Sequence, residues 1–184
     1  IGEAVGCTPE ERHILEAASI LHDVGQLVSY KSHHRHSYQL IMHADRIGLG
    51  ARERSLVALI SRYHRRRGPK RSDPEFAALS PDDQALVRRT AGLLRVADGL
   101  YCGHTAVVDQ VRAELTRKKL VLRIAPRRAG ANMELEGWAA RRKADVLQKV
   151  LGRKITINAS LALADPPAAG ERRRVTRRKA PRRS

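Results

Sequence analysis

The strongest constraint on the fold is a series of four amphipathic segments within the first 101 residues, each with its own helix start or stop signal. The first start is explicit, because Thr8 can cap a helix, Pro9 suits its first position and Glu11 completes a capping box. Apolar residues then recur at helical spacing. We expect Gly25 to stop this helix just after residues 8–23.

Three more helices are expected by the same criteria, over residues 36–48, 51–64 and 80–101. The last of them has Ser80 as its cap, Pro81 in its first position and two aspartates in its first turn, where the helix dipole favours negative charge. Residues 65–79 are rich in proline, glycine and charge, which predicts a loop. The first 103 residues therefore predict a helical body.

The pattern changes after Gly103. Alternating apolar residues predict strands over 107–115, 118–125 and 154–163, and a helical stripe that includes Trp138 predicts one helix between the second and third strands, over 134–152. The sequence thus indicates a mainly α protein with three parts, over residues 1–103 (helical domain), 104–163 (small α+β unit) and 164–184 (disordered basic tail).

The charge of the chain points to polyanionic partners. The formal net charge is +17 and only 3% of the residues are aromatic, so the core must be built from aliphatic side chains. From Asp165 onward there are eight Arg or Lys and two acidic residues, a net of +6, so +11 belongs to the residues before it. The body is basic in its own right, which favours nucleotide, polyphosphate or nucleic-acid binding.

The two cysteines and the hydropathy pattern predict a cytoplasmic protein. Cys7 and Cys102 have no framework spacing, so we expect reduced thiols. No apolar run approaches the roughly 20 residues needed to span a bilayer. The chain begins with Ile1 in place of methionine, which suggests a piece of a longer protein.

Histidines and aspartates at the ends of the expected helices could hold a divalent metal such as Mg, Mn or Fe. His22 and Asp23 end the first helix, and Asp98 lies late in the fourth, where an unpaired carboxylate would be costly. His36 opens the second helix and His64 closes the third. Such residues on packed helices are suitable ligands for a metal that lowers the pKa of a bound water.

Other interpretations of these residues remain open. His22, Asp23 and Asp98 could form a buried ion-pair network without metal, and His36 and His64 could be capping or surface residues. We expect His33 and His34 to lie in a loop, although His33 could reach the site. Trp138 is expected in the core.

Four motifs in order carry a resemblance to a known family: "AASILHDVGQLVSY", "HHRHSYQLI", "LISRYHRRRGP" and "LLRVADGL". Together they resemble the C-terminal HD-type domain of the exopolyphosphatase / guanosine pentaphosphatase (Ppx/GppA) family, over roughly residues 1–160. The resemblance implies that His22, Asp23 and Asp98 are HD metal ligands. Similarity to the HD-GYP branch implies that His36 and His64 are ligands of a second metal.

The chain departs from that pattern in two ways. The first metal-ligand histidine of the HD superfamily lies upstream of "LEAASILHD", and His13 is too close to His22 to replace it. Full-length members of the family hydrolyse phosphate in N-terminal actin-like domains, which this chain does not include. Those domains are implied partners, and a homodimer is another.

Arginines surround the expected metal site in sequence. We expect five of them to bind phosphate, namely Arg35, Arg62, Arg65, Arg66 and Arg67. A guanidinium matches phosphate oxygens bidentately. The run from 65 to 71 could equally be a solvated loop.

These features support three hypotheses of function. The first is a metal-dependent phosphohydrolase module acting on inorganic polyphosphate or guanosine pentaphosphate. The second is a catalytically inert polyphosphate-binding or dimerisation module. The third is a non-specific nucleic-acid binder that uses the tail, although the scarcity of aromatic residues argues against base stacking.

Overall fold

The structure, a computed structural model, describes residues 1–160. Its helices are α1 (Pro9–Leu21), α2 (His33–Met42), α3 (Ala51–Tyr63), α4 (Pro74–Ala77), α5 (Pro81–Leu100), α6 (Glu134–Lys143) and α7 (Asp145–Leu151). Its strands are β1 (Val108–Leu115), β2 (Lys119–Pro126) and β3 (Lys154–Ala159). The expected fold class, mainly α with a small three-stranded unit, is confirmed.

Helix α1 begins where its capping signals predict. The Thr8 hydroxyl accepts a hydrogen bond from the Glu11 amide at 3.1 Å, and the Glu11 carboxylate accepts one from the Thr8 amide at 2.9 Å. The helix ends at Leu21, so His22 and Asp23 lie just beyond it. These two neighbouring side chains therefore need not point in the directions that a continuing helix would impose.

Gly25 was expected to stop α1 but has a different role. It lies in a short 3-10 turn, Val24–Leu27, and a Cβ atom there would lie 2.2 Å from the His33 carbonyl oxygen and 2.3 Å from the Ser37 nitrogen. The Ser37 hydroxyl accepts from the Gly25 amide at 2.9 Å and donates to the His22 carbonyl at 2.6 Å. Gly25 therefore allows α2 to pack directly on the turn after α1.

The predicted bounds of the second helix, 36–48, are wrong. Helix α2 begins at His33, so His33 and His34 form its first turn, and both are buried. The helix follows Ser32, whose φ of 62° is a left-handed turn that no serine pattern predicts. It ends at Met42, and Ile47 lies outside it with 37% of its surface exposed.

Helices α3 and α5 form the centre of the molecule. In α3 the run Leu56–Ile60 is buried, and α5 contributes both to the core shared with α1 and α2 and to the core of the C-terminal part. The segment 65–79 is not entirely a loop, since it contains the short helix α4. Phe76 of α4 is fully buried, and the Arg88 guanidinium lies 4.5 Å from its ring centroid.

The sheet has the order β1-β2-β3. β1 and β2 are antiparallel, around the turn expected near Arg117, whereas β2 and β3 are parallel. Leu120, Leu122 and Ile124 of β2 are buried in the second core. The sheet thus covers the side of α5 that α1 and α3 do not.

The single helix expected over 134–152 is divided at Ala144 into α6 and α7. Helix α6 packs on α5 so closely that a Cβ atom at Gly99 would lie 2.5 Å from the Ala140 Cα atom. Because Ala139 and Ala140 face the core, Trp138 is 52% exposed, and the prediction that it is a core residue is wrong. The Arg142 guanidinium lies 4.8 Å from its ring centroid.

The tail predicted over 164–184 lies outside the described residues. Among the helices of residues 1–160, none combines the length and hydropathy that crossing a bilayer requires. The division into 1–103 and 104–163 stays a prediction, with α5 shared between the two cores.

Candidate metal and phosphate site

Three helix ends meet on one side of the molecule and carry the histidines of the site. His22 and Asp23 follow α1, His33 begins α2, and His64 follows α3. The contact of Gly25 with α2 brings the first two of these ends together. We call His22, Asp23, His33 and His64 the histidine cluster.

Asp23 lies at the centre of the histidine cluster. Its Oδ1 atom is 3.1 Å from His33 Nε2 and 3.5 Å from His64 Nε2, and its Oδ2 atom is 3.7 Å from His22 Nε2. His33 Nε2 and His64 Nε2 are 3.2 Å apart. Three of these residues, His22, Asp23 and His64, each offer a ligand atom within 4.8 Å of the other two.

The other ring nitrogen of each histidine faces a backbone carbonyl three residues upstream. The Nδ1–O distances are 2.8 Å (His22 to Ser19), 3.1 Å (His33 to Tyr30) and 2.5 Å (His64 to Ser61). A carbonyl can only accept, so these contacts favour the tautomer that carries the proton on Nδ1 and leaves Nε2 available to a metal ion. A hydrogen bond from the other ring nitrogen to a carbonyl is what orients the imidazoles of metal sites. His33 Nδ1 has one longer contact, 3.4 Å from Arg65 Nη1.

Burial keeps His64 uncharged. His64 is 1% exposed, and loss of solvation lowers its pKa to about 4, although the Ser61 carbonyl, Asp98 and Asp23 act in the opposite direction. A neutral His64 at pH 7 is the form that binds a metal. The Nε2 atoms of His33 and His64, 3.2 Å apart and each within 3.5 Å of Asp23 Oδ1, are close enough for one cation to contact all three atoms.

The cluster forms one wall of a cavity of about 190 Å³. The cavity is lined by Asp23, Gln26, Tyr30, His33, His64, Arg65, Asp98, Cys102, His104 and Lys143. In the same cavity, the Lys143 ammonium donates a hydrogen bond to the Asp98 carboxylate, whose charge also acts on His64. The cavity thus contains two carboxylates, one facing imidazoles and the other facing an ammonium.

The structure brings together most of the residues that the sequence analysis assigned to a metal. His22, Asp23 and His64 meet in the cluster, and Asp98 lines the same cavity. His36 does not line the cavity, because α2 begins three residues earlier than expected and His33 takes the inward position. Neither His33 nor Lys143 was among the assigned residues.

The Ppx/GppA phosphatase family, through the model of its domain III, matches residues 4–139. The chain belongs to this family. The match contains every cavity residue except Lys143. The resemblance seen in the four sequence motifs is therefore confirmed.

A second cavity of this Ppx/GppA domain, of about 340 Å³, lies on the other side of the α2 start. We call it the arginine pocket, and its lining is His34, Arg35, Arg62, Tyr63, Arg65, Arg66 and Arg67. It gathers all five arginines that were expected to bind phosphate. Arg65 lines both cavities.

The cations of the arginine pocket are not equally available. Arg62 pairs with Glu75 at 3.0 Å, and Arg67 pairs with Asp73 at 2.5 Å. Arg35 and Arg66 form no ion pair within residues 1–160, and Arg66 adopts a left-handed φ of 61°. The pocket therefore presents free guanidinium groups to an anion.

Asp73 holds two residues that line the arginine pocket, Tyr63 and Arg67. Its buried carboxylate accepts hydrogen bonds from the Tyr63 hydroxyl at 3.0 Å, from Arg67 and from the Lys70 amide at 3.1 Å. Burial alone would raise the pKa of Asp73, but these donors outweigh it and lower the pKa below its ordinary value. The carboxylate therefore stays ionised and ties the segment after α3 to the core.

Proposed function

We propose that this domain binds one divalent metal ion through the histidine cluster and presents it to a phosphate-rich anion. The observation that carries the proposal is the pair of Nε2 atoms 3.2 Å apart, with an Asp23 oxygen within 3.5 Å of both. Imidazole donors favour a transition metal such as iron or zinc over magnesium. The Nδ1 contacts to backbone carbonyls fix the rings in the geometry that such an ion needs.

The reaction that we propose is hydrolysis of a phosphoric anhydride in inorganic polyphosphate or guanosine pentaphosphate. A metal bound at the cluster would lower the pKa of a water and neutralise phosphate oxygens. The chain itself supplies the rest: Arg65 at the cavity wall holds a non-reacting oxygen, and Arg35 and Arg66 hold further phosphates of the same anion. Charge neutralisation of this kind is the main requirement of phosphoryl transfer.

A second candidate function is a binding module without turnover, which grips the same anion for catalytic domains elsewhere or forms a dimer. One observation favours it. Asp98, an expected metal ligand, already has a partner in Lys143. A binding module would keep the arginine pocket and need no metal.

Metal analysis separates the two functions. We expect purified protein loaded with Fe²⁺, Mn²⁺ or Zn²⁺ and desalted to retain about one equivalent by elemental analysis, and Asp23→Asn to retain almost none. The control is Asp45→Asn, whose carboxylate is 85% exposed and pairs only with Arg54 within residues 1–160. Retention of the same metal by Asp23→Asn and wild type would overturn the proposed site.

Substrate assays then test turnover. We expect phosphate release from polyphosphate or guanosine pentaphosphate that is lost with a chelator, restored by metal, and absent in Asp23→Asn. Binding of both anions without release, unaffected by the chelator, would favour the binding module.

A further inference from the structure

Lys143 is the cavity residue that the family match does not contain. It is the last residue of α6, and its ammonium donates a hydrogen bond to Asp98. Both side chains are largely shielded from solvent, with 27% of Lys143 and 16% of Asp98 exposed. An ion pair shielded to this degree is not screened like one on the surface.

The backbone fixes where this ammonium lies. Gly99 and Ala140 are in contact at the crossing of α5 and α6, where a Cβ atom on Gly99 would lie 2.5 Å from the Ala140 Cα atom. Asp98 precedes Gly99 by one residue, and Lys143 follows Ala140 by about one helical turn. The crossing therefore sets the two charged residues side by side.

The two carboxylates of the cavity have different partners. Asp23 faces imidazoles that are available to a metal, whereas Asp98 faces a permanent cation. A metal ion that used Asp98 would have to displace the ammonium or lie next to it, and like charges at such a distance repel strongly. Arg65, on the same cavity, adds to this repulsion.

We infer that Lys143 is the fixed counter-ion of Asp98 and restricts the cavity to a single metal ion at the histidine cluster. The ammonium takes the place that a second ion would otherwise occupy. This inference rests on the proposed metal site and specifies how many ions it holds.

The test is calorimetric titration of the intact, metal-free protein with Mn²⁺ and with Zn²⁺, for wild type, Lys143→Met and Lys143→Arg. We expect about one equivalent for wild type and for Lys143→Arg. Lys143→Met should bind a second equivalent or bind the first about tenfold more tightly, the scale on which outer-shell groups change metal affinity. Without Asp98, loss of Lys143 should change nothing: the double variant Asp98→Asn/Lys143→Met should bind as much metal, and as tightly, as Asp98→Asn.

The outcomes are separable. If wild type binds one equivalent and Lys143→Met is identical, the inference is overturned while the metal site stands. If wild type binds two equivalents and Asp98→Asn loses one, the inference is also overturned. If neither wild type nor Lys143→Met binds metal, the proposed function fails together with the inference.

A purely structural role for the ion pair would show a different result. Lys143→Met would then lower the thermal unfolding midpoint without changing metal stoichiometry or affinity. Circular dichroism of each variant confirms folding, and Asp98→Asn alone tests the same pair if Lys143→Met does not fold.

Discussion

The histidine cluster and the arginine pocket lie on either side of the same helix start, yet they are built on different principles. In the cluster, neutral nitrogens and one carboxylate converge on a single point inside the protein. In the arginine pocket, permanent cations line an open surface, and some of them are already paired with acids. Neighbouring residues, His33 and His34, contribute to one site each.

This difference predicts how each site should respond to the loss of one side chain. Convergence on a point requires every donor within a few tenths of an ångström, so loss of one donor should remove the function. A field of charges sums over its members, so loss of one guanidinium should weaken binding by a limited factor.

The largest effect is expected for His64→Ala. We expect metal binding to fall below detection, because the variant removes a buried donor at the centre of the cluster. Elemental analysis after loading measures it. His13→Ala is the matched control, since His13 is exposed and its one ion pair within residues 1–160 is with Glu53, at 3.8 Å. Equal metal content in wild type and His64→Ala would contradict the expectation that the donors of the histidine cluster bind one ion together.

Asp73→Ala should cause the next largest effect, on stability. It leaves the buried Tyr63 hydroxyl without its acceptor and frees Arg67, so we expect a loss of about 3 kcal/mol in the free energy of unfolding. Urea unfolding measures it. The control Asp45→Ala breaks an exposed pair and should cost less than about 1 kcal/mol. A cost of similar size for both would mean that Asp73 does not anchor the pocket.

A double variant, Arg35→Ala with Arg66→Gly, tests the arginine pocket directly. We expect tripolyphosphate to bind about thirtyfold more weakly, with metal affinity unchanged, since the variant removes two charge-assisted contacts of roughly 1 kcal/mol each. Glycine at 66 suits the left-handed φ of 61°, so the fold should be preserved. The control is Arg71→Ala, in the same segment but outside the pocket lining. An equal loss of affinity in the control would mean that the anion responds to the overall positive charge of the protein and not to the arginine pocket.

The smallest effect concerns pH. Burial, His33 and nearby arginines led by Arg35 lower the pKa of His34 to about 4, and its Nδ1 has no hydrogen-bond partner among residues 1–160. The unfolded chain therefore binds more protons between pH 6.5 and 4, and stability should fall as pH falls through that range. His34→Gln should make the fall shallower. Unfolding midpoints of metal-free protein measure it, and an unchanged slope would contradict the assignment.

Local chemistry explains what the sequence predicted well. Thr8 and Glu11 place the start of α1, and Ser80 places that of α5, because capping uses only residues within one turn. His22, Asp23 and His64 could be assigned to the site since they lie at helix ends that apolar periodicity locates.

Tertiary contacts explain what the sequence did not predict. The start of α2 depends on the left-handed Ser32 and on the contact of Gly25 with the α2 backbone, so the sequence pattern predicts a loop at His33 and a helix start at His36. Lys143 reaches the cavity only because Gly99 lets α6 approach α5. The local signals that could have located α4 are Asp73 and Pro74 at a helix start and the apolar Phe76 after them in a charged segment.

The Gly25 contact also has an evolutionary consequence. A substitution there forces apart the turn after α1 and the backbone of α2, and with them His22 and His33, however well each histidine is preserved. Among related proteins, selection to keep the cluster should therefore act on this glycine as strictly as on the ligands. A lineage that has replaced Gly25 while keeping the His-Asp pair should be one in which the pair has lost its metal.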